Sequence, residues 1–397
     1  MGEVVDRTAG RGILFVSHDA TRSGAPIVLL HFLRWFKKNG NRPFAVLLQA
    51  GGELVGDFEE LADTWSIDRS IWCRGGLRTG LLAAAGLGAW AQRAETRDAR
   101  KFSARCSPAL VYFNSVASAH VIDVLAPQVP VLTHVHELES YIRAQPSGAL
   151  LRLLSQTDRF IACSNATREN LVQKHGVAEE RVETVYESIP LGQTRAERTR
   201  QQVFRELHIP DEALLVVGSG FGQWRKGTDL FLQLARIVSH QRSNAYFAWI
   251  GGSARDVIEI EHDVRLAGLA ENVRFTGAVP RSADYFAAAD VFVLTSREDP
   301  YPLVCLEAAA LAKPIVCFAR AGGMPEFVEE DCGFVVPYLD LAAMADRIVS
   351  LLDSPESRTT LGAAARRKVT ERHDINRTAP RILEIMERTL CAGEATR

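Results

Sequence analysis

The chain has 397 residues, about two to three times the usual size of one domain, so two domains are expected. Its formal net charge is -2, and this near-neutral balance argues against a nucleic-acid-binding protein, which would carry a strongly basic face. A hydrophobic fraction of 47% beside a charged fraction of 24% is ordinary globular composition and excludes disorder as the main state.

The cysteines and the apolar segments bear on the compartment. The seven cysteines lie far apart without a CxxC spacing, so free thiols in a reducing compartment are expected. No apolar stretch reaches the roughly 18 residues of a membrane span, and the longest candidate, Leu81 to Ala91, is rich in Ala and Gly. The N-terminal residues do not show the basic and apolar segments of a signal peptide. A cytoplasmic location is therefore expected.

Strand-like apolar runs alternate with amphipathic helices from the first residues onward. The first strand is predicted at Ile13–Val16 and the first helix at Ala25–Lys38, where apolar residues recur at helical spacing. Runs that are apolar on both faces are typical of a parallel sheet covered by helices. The other strands predicted for this first sheet are Phe44–Leu48, Ile67–Trp72, Ala109–Phe113, Val131–Val135, Arg159–Ala162 and Val182–Tyr186.

A polar stretch near mid-chain, Gln193–Gln202, interrupts this alternation and is interpreted as a linker, with a solvated helix face as the alternative. The alternation then restarts with a helix at Gly227–Val238, and two helices, Ser357–Val369 and Ile375–Leu390, finish the chain. We therefore predict two doubly wound α/β domains, residues 1–192 and 193–372, followed by a terminal helix in 373–397. The strands predicted for the second domain are Ala213–Gly218, Tyr246–Ile250, Val273–Thr276, Val291–Leu294, Ile315–Phe318 and Phe334–Val336.

The segments that follow the strands are the places to look for a ligand, because doubly wound folds bind ligands outside the carboxyl ends of their strands. After the first strand comes SHDATRSGAP, where the small residues Ser23 and Gly24 allow backbone amides to approach an anion or a sugar. A plain tight turn is the alternative. Neither this loop nor GSGFG at 218–222 matches the GxGxxG fingerprint, which argues against a nicotinamide or flavin enzyme.

Two histidines and a glutamate, His134, His136 and Glu137, follow at the end of another predicted strand. Strand alternation places the two imidazoles on one face. A metal pair is conceivable, but no further ligand accompanies them at metal-binding spacing, and the chain contains no Asp-x-Asp. Hydrogen bonding to a substrate or to backbone is the favoured interpretation, and no metal is predicted.

The segment GQWRKGTD, residues 222–229, lies between a strand and a helix of the second half. Arg225 and Lys226 are adjacent there, and Gly227 opens the helix. Two cations beside a helix N-terminus form a favourable site for a diphosphate. A solvated basic turn is the alternative.

A second loop of this half carries two carboxylates. Asp299 and Glu307 are eight residues apart, and a helix is expected to begin near Leu303, since two prolines precede it. Asp299 then lies in the loop and Glu307 about one turn inside the helix. Two carboxylates and free helix amides facing one cleft suit a ligand with hydroxyls at one end and phosphate in the middle.

These residues resemble the donor-binding domain of the family 4 retaining GT-B glycosyltransferases. Within residues 218–337 the matching pieces are, in order, RKG, WIGG, VRFTGAVP, AADVFVLTS, PLVCLEA and AGGMPEFV. The first half matches more loosely through SGAP, YFNS, HVHE and CSNAT. The resemblance covers nearly the whole chain. It implies an α/β GT-B fold, in which two Rossmann-like domains with doubly wound parallel sheets face a central cleft.

The resemblance assigns the donor site residue by residue. Arg225 and Lys226 would bind the donor pyrophosphate, and Glu307 would bind the nucleotide ribose. The first acidic position of the family is Glu, and here it is Asp299, which would contact the transferred sugar, with Glu298 as the alternative. Further donor-binding positions implied by the resemblance are Gly24, Gly252, Val279, Pro302, Leu303 and Val304.

The resemblance also assigns the acceptor side. Ser23 and Gly24 would lie beside the acceptor, and His136 would lie near the donor sugar and the acceptor. Glu137 follows His136 where the family usually has Asp. The catalytic residues implied in this way are His136, Arg225, Lys226 and Asp299.

The chemistry that the resemblance implies is transfer of a sugar from a nucleotide-diphosphate sugar to a hydroxyl, with retention of anomeric configuration. It needs no metal or other cofactor, because the cations and helix amides stabilise the leaving diphosphate. The acceptor would be a carbohydrate, a lipid-linked or a small molecule, in bacterial surface-glycan or secondary-metabolite assembly. The terminal helix would cross back onto the first domain.

Two other functions remain open at the level of sequence: a sugar-nucleotide epimerase of GT-B fold and a non-catalytic nucleotide-sugar-binding partner subunit. The basic segment Arg93–Arg105 is interpreted as a solvated helix face, with peripheral contact to an anionic membrane as the alternative.

Overall fold

The computed structural model describes residues 11–67 and 88–395, with the backbone alone for 88–95 and for the last two of these residues. The chain forms two compact units, Met1–Tyr186 with Ile375–Arg397, and Glu187–Asp374. The predicted boundaries, after residues 192 and 372, lie a few residues from those of the structure. Most of the apolar segment that begins at Leu81 lies outside the described residues.

Unit 1 is built on a parallel sheet of seven strands in the order β3-β2-β1-β4-β5-β6-β7. The strand order reverses between β1 and β4, and the carboxyl ends at such a switch point are where doubly wound folds bind ligands. The strands are β1 Ile13–Ser17, β2 Phe44–Leu48, β3 Asp63–Ser66, β4 Leu110–Asn114, β5 Val131–Val135, β6 Arg159–Ala162 and β7 Val182–Thr184.

Helices cover both faces of this sheet. Alternation along β1 explains why, since Ile13 and Phe15 pack into one apolar layer and Leu14 and Val16 pack into the other. The helices of unit 1 are Gly24–Asn39, Val55–Leu61, Gly88–Cys106, Val121–Leu125, Glu139–Arg143, Ser147–Gln156, Asn165–His175 and Ile375–Ala395.

The third strand lies earlier than the sequence predicts. The apolar run Ile67–Trp72 was expected to form it, but Asp63–Ser66 pairs with β2 instead, and residues 68–72 lie outside the described part. Asp63–Ser66 is partly polar, and β2 is its one partner strand among the described residues. A strand at the edge of a sheet is only partly covered, so its sequence carries a weak apolar signal.

The C-terminal helix Ile375–Ala395 packs on the first sheet. Its residues Ile382, Ile385 and Met386 are buried in the same apolar layer as Phe15. Outside this layer, arginines of the helix form ion pairs with Glu183, which follows the first residue of β7. The last helix of the chain is therefore part of the core of the unit that contains the first strand.

Unit 2 contains a parallel sheet of six strands in the order β10-β9-β8-β11-β12-β13, which reverses between β8 and β11. Its strands are β8 Leu214–Ser219, β9 Ala245–Ile250, β10 Val273–Phe275, β11 Val291–Leu294, β12 Ile315–Phe318 and β13 Gly333–Val336. Its helices are Arg200–Glu206, Thr228–Gln241, Ala254–Leu266, Ser282–Ala288, Leu303–Ala310, Met324–Val328, Leu341–Asp353 and Pro355–Arg372.

The polar stretch Gln193–Gln202 is part loop and part helix. Thr199 begins the helix Arg200–Glu206 with a capping box that it forms with Gln202. The neighbouring arginines are not simply solvated, since Arg198 pairs with the buried Asp284 and the next arginine with Asp290. The stretch is therefore anchored to unit 2 by ion pairs. Its polar composition alone, interpreted as a linker, did not predict them.

In residues 11–67 and 88–395, no helix combines the length and the apolar character needed to cross a bilayer. Cations of the basic helix Gly88–Cys106 are bonded within unit 1, because Arg105 donates to Asp63 and Arg100 donates to the Val124 carbonyl. The Arg105–Asp63 pair offsets one positive charge of this helix, and the other bond holds Arg100 against unit 1.

We predict that Ile385→Ala lowers the free energy of unfolding of the protein by about 2–5 kcal/mol, because it empties a fully buried site in the first core. The matched control is Ile258→Ala, which removes the same atoms from a side chain that is 68% exposed. Urea unfolding followed by circular dichroism measures both. Equal losses for the two variants would contradict the packing of the terminal helix.

Candidate functional site

The loop after β8 carries the two predicted cations. Trp224–Lys226 forms a short 3-10 turn, and Gly227, with a φ of +68°, begins the helix Thr228–Gln241. A Cβ at this glycine would lie 2.1 Å from the carbonyl oxygen of Thr295 at the end of β11. The hydroxyl of Thr295 donates to the Gly227 carbonyl at 2.9 Å. Glycine is thus required here, and it brings the cationic loop against the carboxyl end of β11.

The half-buried Lys226 forms an ion pair with the buried Asp299. The Nζ of Lys226 lies 2.6 Å from Oδ2 of Asp299, which also accepts a hydrogen bond from Ser296 at 3.0 Å. Nη1 of Arg225 lies 3.7 Å from the other carboxylate oxygen. Burial lowers the pKa of Lys226, and the carboxylate of Asp299 opposes that shift. Two cations and one carboxylate leave one net positive charge at this loop, which suits an anionic ligand.

The loop after β11 is bonded to the loops on both sides of it. The amide of Asp299 donates to the Ala321 carbonyl at 2.7 Å, beyond β12. On the other side, the amide of Arg297 donates to the Arg225 carbonyl at 2.7 Å. The Arg297 side chain makes a two-pronged pair with Asp229 at 2.8 and 2.7 Å. The loops after β8, β11 and β12 therefore form one bonded surface at the carboxyl edge.

The helix Leu303–Ala310 begins at this edge after Pro302, where the sequence predicts it. The first amides of a helix have no partner inside the helix, so they can donate to an anion. Leu303 is buried and Val304 half-buried at this end. Glu307, half-buried one turn further on, accepts a hydrogen bond from Ser282 at 3.4 Å. Burial raises the pKa of Glu307 to about 7.

The two other predicted donor positions follow β9 and β10. Gly252 has a φ of +100° and adjoins Gly251, whose amide donates to the Gly277 carbonyl at 2.9 Å. Val279 is half-buried just after that carbonyl. The donor-binding positions predicted within unit 2 therefore all lie in loops or in the first turns of a helix at one edge of its sheet, namely Arg225, Lys226, Gly252, Val279, Asp299, Pro302, Leu303, Val304 and Glu307.

In unit 1, Asn114 connects two of the predicted segments. Its side-chain oxygen lies 2.9 Å from Nε2 of His136, and its amide nitrogen donates to the Ala25 carbonyl at 2.9 Å. An amide oxygen only accepts, so Nε2 of His136 carries the proton in this arrangement. Sequence reasoning missed Asn114 as a site residue. The available signal was a polar residue ending a buried strand beside the switch point.

His134 and His136 lie side by side, with ring centroids 4.0 Å apart. They differ in environment, because His134 is buried and His136 is half-buried. Nδ1 of His134 lies 2.7 Å from the hydroxyl of Tyr112, and burial holds the pKa of this imidazole well below its ordinary value. His134 is therefore a neutral packing partner of His136.

Glu137 is turned into unit 1 and is 7% exposed. Its carboxylate accepts hydrogen bonds from the hydroxyl of Ser115, from the His136 amide at 2.9 Å and from the Val116 amide at 3.4 Å. Ser115 adopts a φ of +92° at the end of β4. In this arrangement Glu137 holds together the loops after β4 and β5, and contact with an acceptor remains a prediction.

Ser23 precedes the helix Gly24–Asn39, and its hydroxyl accepts a hydrogen bond from Thr21 at 3.0 Å. Gly24 is exposed, and no atom of the neighbouring structure lies within 4 Å of the position that a Cβ would take. The fold therefore does not require glycine at 24, in contrast to Gly227. Open space beside a helix start is available to a ligand.

Two family models match this chain. The model of Glycosyltransferase Family 4 matches residues 22–193, and that of Glycosyl transferases group 1 matches residues 211–354. The chain belongs to the family 4 glycosyltransferases of GT-B fold. Among curated proteins, this family 4 chain is 30% identical over 224 residues to D-inositol 3-phosphate glycosyltransferase 1 of Catenulispora acidiphila, covering 54% of the chain and 53% of that relative.

A second relative, D-inositol 3-phosphate glycosyltransferase of Streptomyces avermitilis, is 29% identical to 55% of the family 4 chain, over 49% of its own length. The chain spans about half the length of the curated relatives it matches. Solved structures match it more completely. HepE of Anabaena, crystallised with UDP-glucose, has a TM-score of 0.76 at 19% identity, with 95% of this chain and 99% of HepE covered.

Sucrose-phosphate synthase of Thermosynechococcus elongatus has a TM-score of 0.75 at 20% identity, with 96% of the family 4 chain and 100% of the synthase covered. At such identities the likeness establishes the fold. The two parallel-sheet α/β units and their strand orders agree with the GT-B prediction.

We predict that Glu307→Gln raises the melting temperature at pH 8 and leaves it nearly unchanged at pH 4. The pKa of Glu307 is raised from about 4.5 to about 7 in the folded protein, so the carboxyl costs stability as the pH rises through this interval, and the full cost is present at pH 8. Below the unfolded-state pKa the carboxyl is protonated in both states, and the difference disappears. Thermal unfolding at several pH values measures this effect.

The matched control is Glu330→Gln, because Glu330 is exposed on unit 2. The difference in melting temperature between this variant and the wild type should be the same at pH 4 and at pH 8. A Glu307→Gln variant that loses stability at pH 8 would contradict the assignment of an uncompensated carboxylate to this position.

Proposed function

We propose that the protein transfers a sugar from a nucleoside diphosphate sugar to an acceptor hydroxyl, with retention of anomeric configuration and without a metal ion. The observation that carries this proposal is the pair of Lys226 with the buried Asp299, with Arg225 beside it, at the carboxyl edge of the sheet of unit 2. Two nearby features, the start of the helix Leu303–Ala310 and Glu307, supply groups for the rest of a nucleotide.

The cationic loop would act on the leaving group. Negative charge grows on the diphosphate as the glycosidic bond breaks, and donors that are already oriented stabilise that charge without reorganisation. Asp299 accepts one hydrogen bond from the Lys226 ammonium, which has three N–H donors, so it fixes the direction of the others. Because protein cations supply the charge, we propose that no metal is needed.

The helix amides and Glu307 would hold the nucleotide. A phosphate at the amides of Leu303 and Val304 gains from their hydrogen bonds and from the helix dipole. Glu307 lies one turn further along, and its carboxylate can accept from a ribose hydroxyl. The first solution test should use UDP-sugars, since HepE, of the same fold, was crystallised with UDP-glucose.

The sequence left open whether Asp299 or Glu298 contacts the transferred sugar, and the two residues differ in their surroundings. Asp299 is 4% exposed and is held by Lys226 and Ser296, whereas Glu298 is half-buried. We propose that Asp299 acts on the diphosphate through Lys226, and that Glu298 is the better placed of the two for a sugar hydroxyl.

On the acceptor side, we propose that Ser23 and Gly24 border the acceptor and that His136, oriented by Asn114, contacts the sugar. Retention is proposed to occur by attack from the face of the leaving group, with the departing phosphate taking the proton of the acceptor hydroxyl. The acceptor class stays open between carbohydrate, lipid-linked and small molecules. The inositol phosphate in the names of the curated relatives supports testing a polyol phosphate in that panel.

We predict that Arg225→Ala lowers transfer by about 10²–10³-fold and abolishes the thermal shift given by the preferred nucleotide sugar, because one oriented donor to the diphosphate is lost. A panel of UDP-, GDP-, ADP- and dTDP-sugars, tested with and without a chelator, measures the effect. Arg225 is the better target, since its side chain is 28% exposed, whereas removing Lys226 would leave the buried Asp299 unpaired.

The control is Arg242→Ala. Arg242 ends the helix Thr228–Gln241 at the opposite end from the cationic loop and pairs with Asp353. The nucleotide shift should be unaffected in this variant. A thermal shift that is unchanged in Arg225→Ala would overturn the assignment of the diphosphate to this loop. If the wild-type protein lost transfer when the chelator was added, metal independence would be overturned.

We predict that Gly24→Leu leaves the melting temperature unchanged but lowers transfer at least tenfold, since its side chain enters the space assigned to the acceptor and to the end of the donor beside it. Gly24 is exposed and no neighbouring atom lies within 4 Å of its Cβ position, so the fold tolerates the change. Donor hydrolysis and sugar transfer are measured in parallel, because hydrolysis needs the donor alone and transfer also needs the acceptor.

The matched control is Gly56→Leu. Gly56 is also exposed at a helix start in unit 1, with the same open surroundings, but no role is assigned to it. Full transfer by Gly24→Leu, or an equal loss by both variants, would show that the acceptor does not bind beside Gly24.

A further inference from the structure

Tyr301 lies in the loop between Asp299 and Leu303, which is called the donor loop below, and its side chain contacts His373. Its side chain is buried, and its hydroxyl lies 3.3 Å from Nε2 of His373. The two rings are 5.5 Å apart with an interplanar angle of 31°. His373 follows the helix Pro355–Arg372, so the contact joins the donor loop to a distant segment of unit 2.

The direction of the hydrogen bonds through His373 follows from its partners. Nδ1 lies 2.9 Å from the carbonyl oxygen of Glu187, which only accepts, so Nδ1 carries the proton. Burial lowers the pKa of His373 to about 4, and the ring is therefore neutral near pH 7. Nε2 of a neutral ring protonated at Nδ1 is an acceptor. The hydroxyl of Tyr301 thus donates to His373, and His373 donates to Glu187.

His373 also joins the segments at which the chain enters and leaves unit 2. The amide of Ile189, near the entry, donates to the His373 carbonyl at 3.0 Å, and Ile189 forms a parallel bridge with Asp374 at the exit. Phe327 packs against the imidazole with ring centroids 5.3 Å apart. One buried side chain therefore connects the entry segment, the exit segment and the donor loop.

The donor loop is short and held from two sides. Asp299 and Pro300 bond to the loop after β12, through the Ala321 carbonyl and the Gly323 amide. Pro300 and Pro302 restrict the backbone on both sides of Tyr301. Its hydroxyl is the contact that fixes the loop toward His373, and the helix amides offered to a phosphate begin two residues later, at Leu303.

We infer that Tyr301 and His373 are positioning residues of the donor site, which set the start of the helix Leu303–Ala310 through their hydrogen bond. This inference rests on the proposed function. Both residues are proposed to act through the loop and the helix, without a contact of their own to the substrate. Without the Tyr301–His373 hydrogen bond, the donor loop is no longer held between Asp299 and the helix. The helix amides and Glu307 would then not be oriented together for the diphosphate and the ribose.

The test is a double-mutant cycle. Tyr301→Phe removes the hydroxyl alone, and His373→Asn keeps a donor for the Glu187 carbonyl while removing the acceptor for Tyr301. Each variant should bind the nucleoside diphosphate about 3- to 10-fold more weakly and lower kcat, with the KM for the acceptor unchanged. The double variant should lose no more affinity than one single variant, because the two changes remove the same bond.

The matched control is Tyr285→Phe. Tyr285 is another buried tyrosine of unit 2, and its hydroxyl donates to Glu206. It should lower the melting temperature and leave nucleotide affinity unchanged, which separates positioning from a general loss of stability. Isothermal titration with the diphosphate, well below each melting temperature, gives the affinities.

The outcomes are distinct. A wild-type protein that binds no nucleoside diphosphate refutes the proposed function itself. A wild-type protein that binds, with Tyr301→Phe and His373→Asn binding equally well, overturns the positioning role alone. Additive losses in the double variant also overturn it, since the two residues would then act independently.

Discussion

A buried carboxylate needs a cation beside it, and in unit 2 this requirement links loops that are far apart in sequence. Lys226 and Asp299 are separated by 73 residues and meet at 2.6 Å. Their pairing brings the loop after β8 against the loop after β11, and the amide of Asp299 extends the connection past β12. The positions of Arg225, of the helix start at Leu303 and of Glu307 follow from that surface.

Two features of the predicted site differ in how the fold accommodates them. Glu307 carries a charge that its surroundings do not favour, which a ribose would relieve by donating to it. Gly227 is required by the close approach of Thr295, whereas Gly24 is surrounded by open space. Two glycines that each stand at the start of a helix therefore differ in whether the surrounding structure requires glycine. The fold requires Gly227, whereas it leaves room for a side chain at position 24.

Most of the strands and the positions of the charged loops were predictable from the sequence. Apolar runs placed most strands within a residue or two, because buried parallel strands have no polar face, and the cationic and acidic loops were found since loops after strands carry the ligand groups. The edge strand Asp63–Ser66 was missed because its sequence is partly polar. Asn114, the Tyr301–His373 contact and the inward turn of Glu137 depend on tertiary contacts, which no local pattern encodes.

The central claim is that Arg225, Lys226 and the helix start at Leu303 bind the diphosphate of a donor. The most direct measurement is a calorimetric comparison of the preferred nucleoside diphosphate with the corresponding monophosphate. The account predicts that the diphosphate binds at least about tenfold more tightly, since its second phosphate adds charge-assisted hydrogen bonds. Equal affinities would contradict it, because the cationic loop would then contribute nothing to nucleotide recognition.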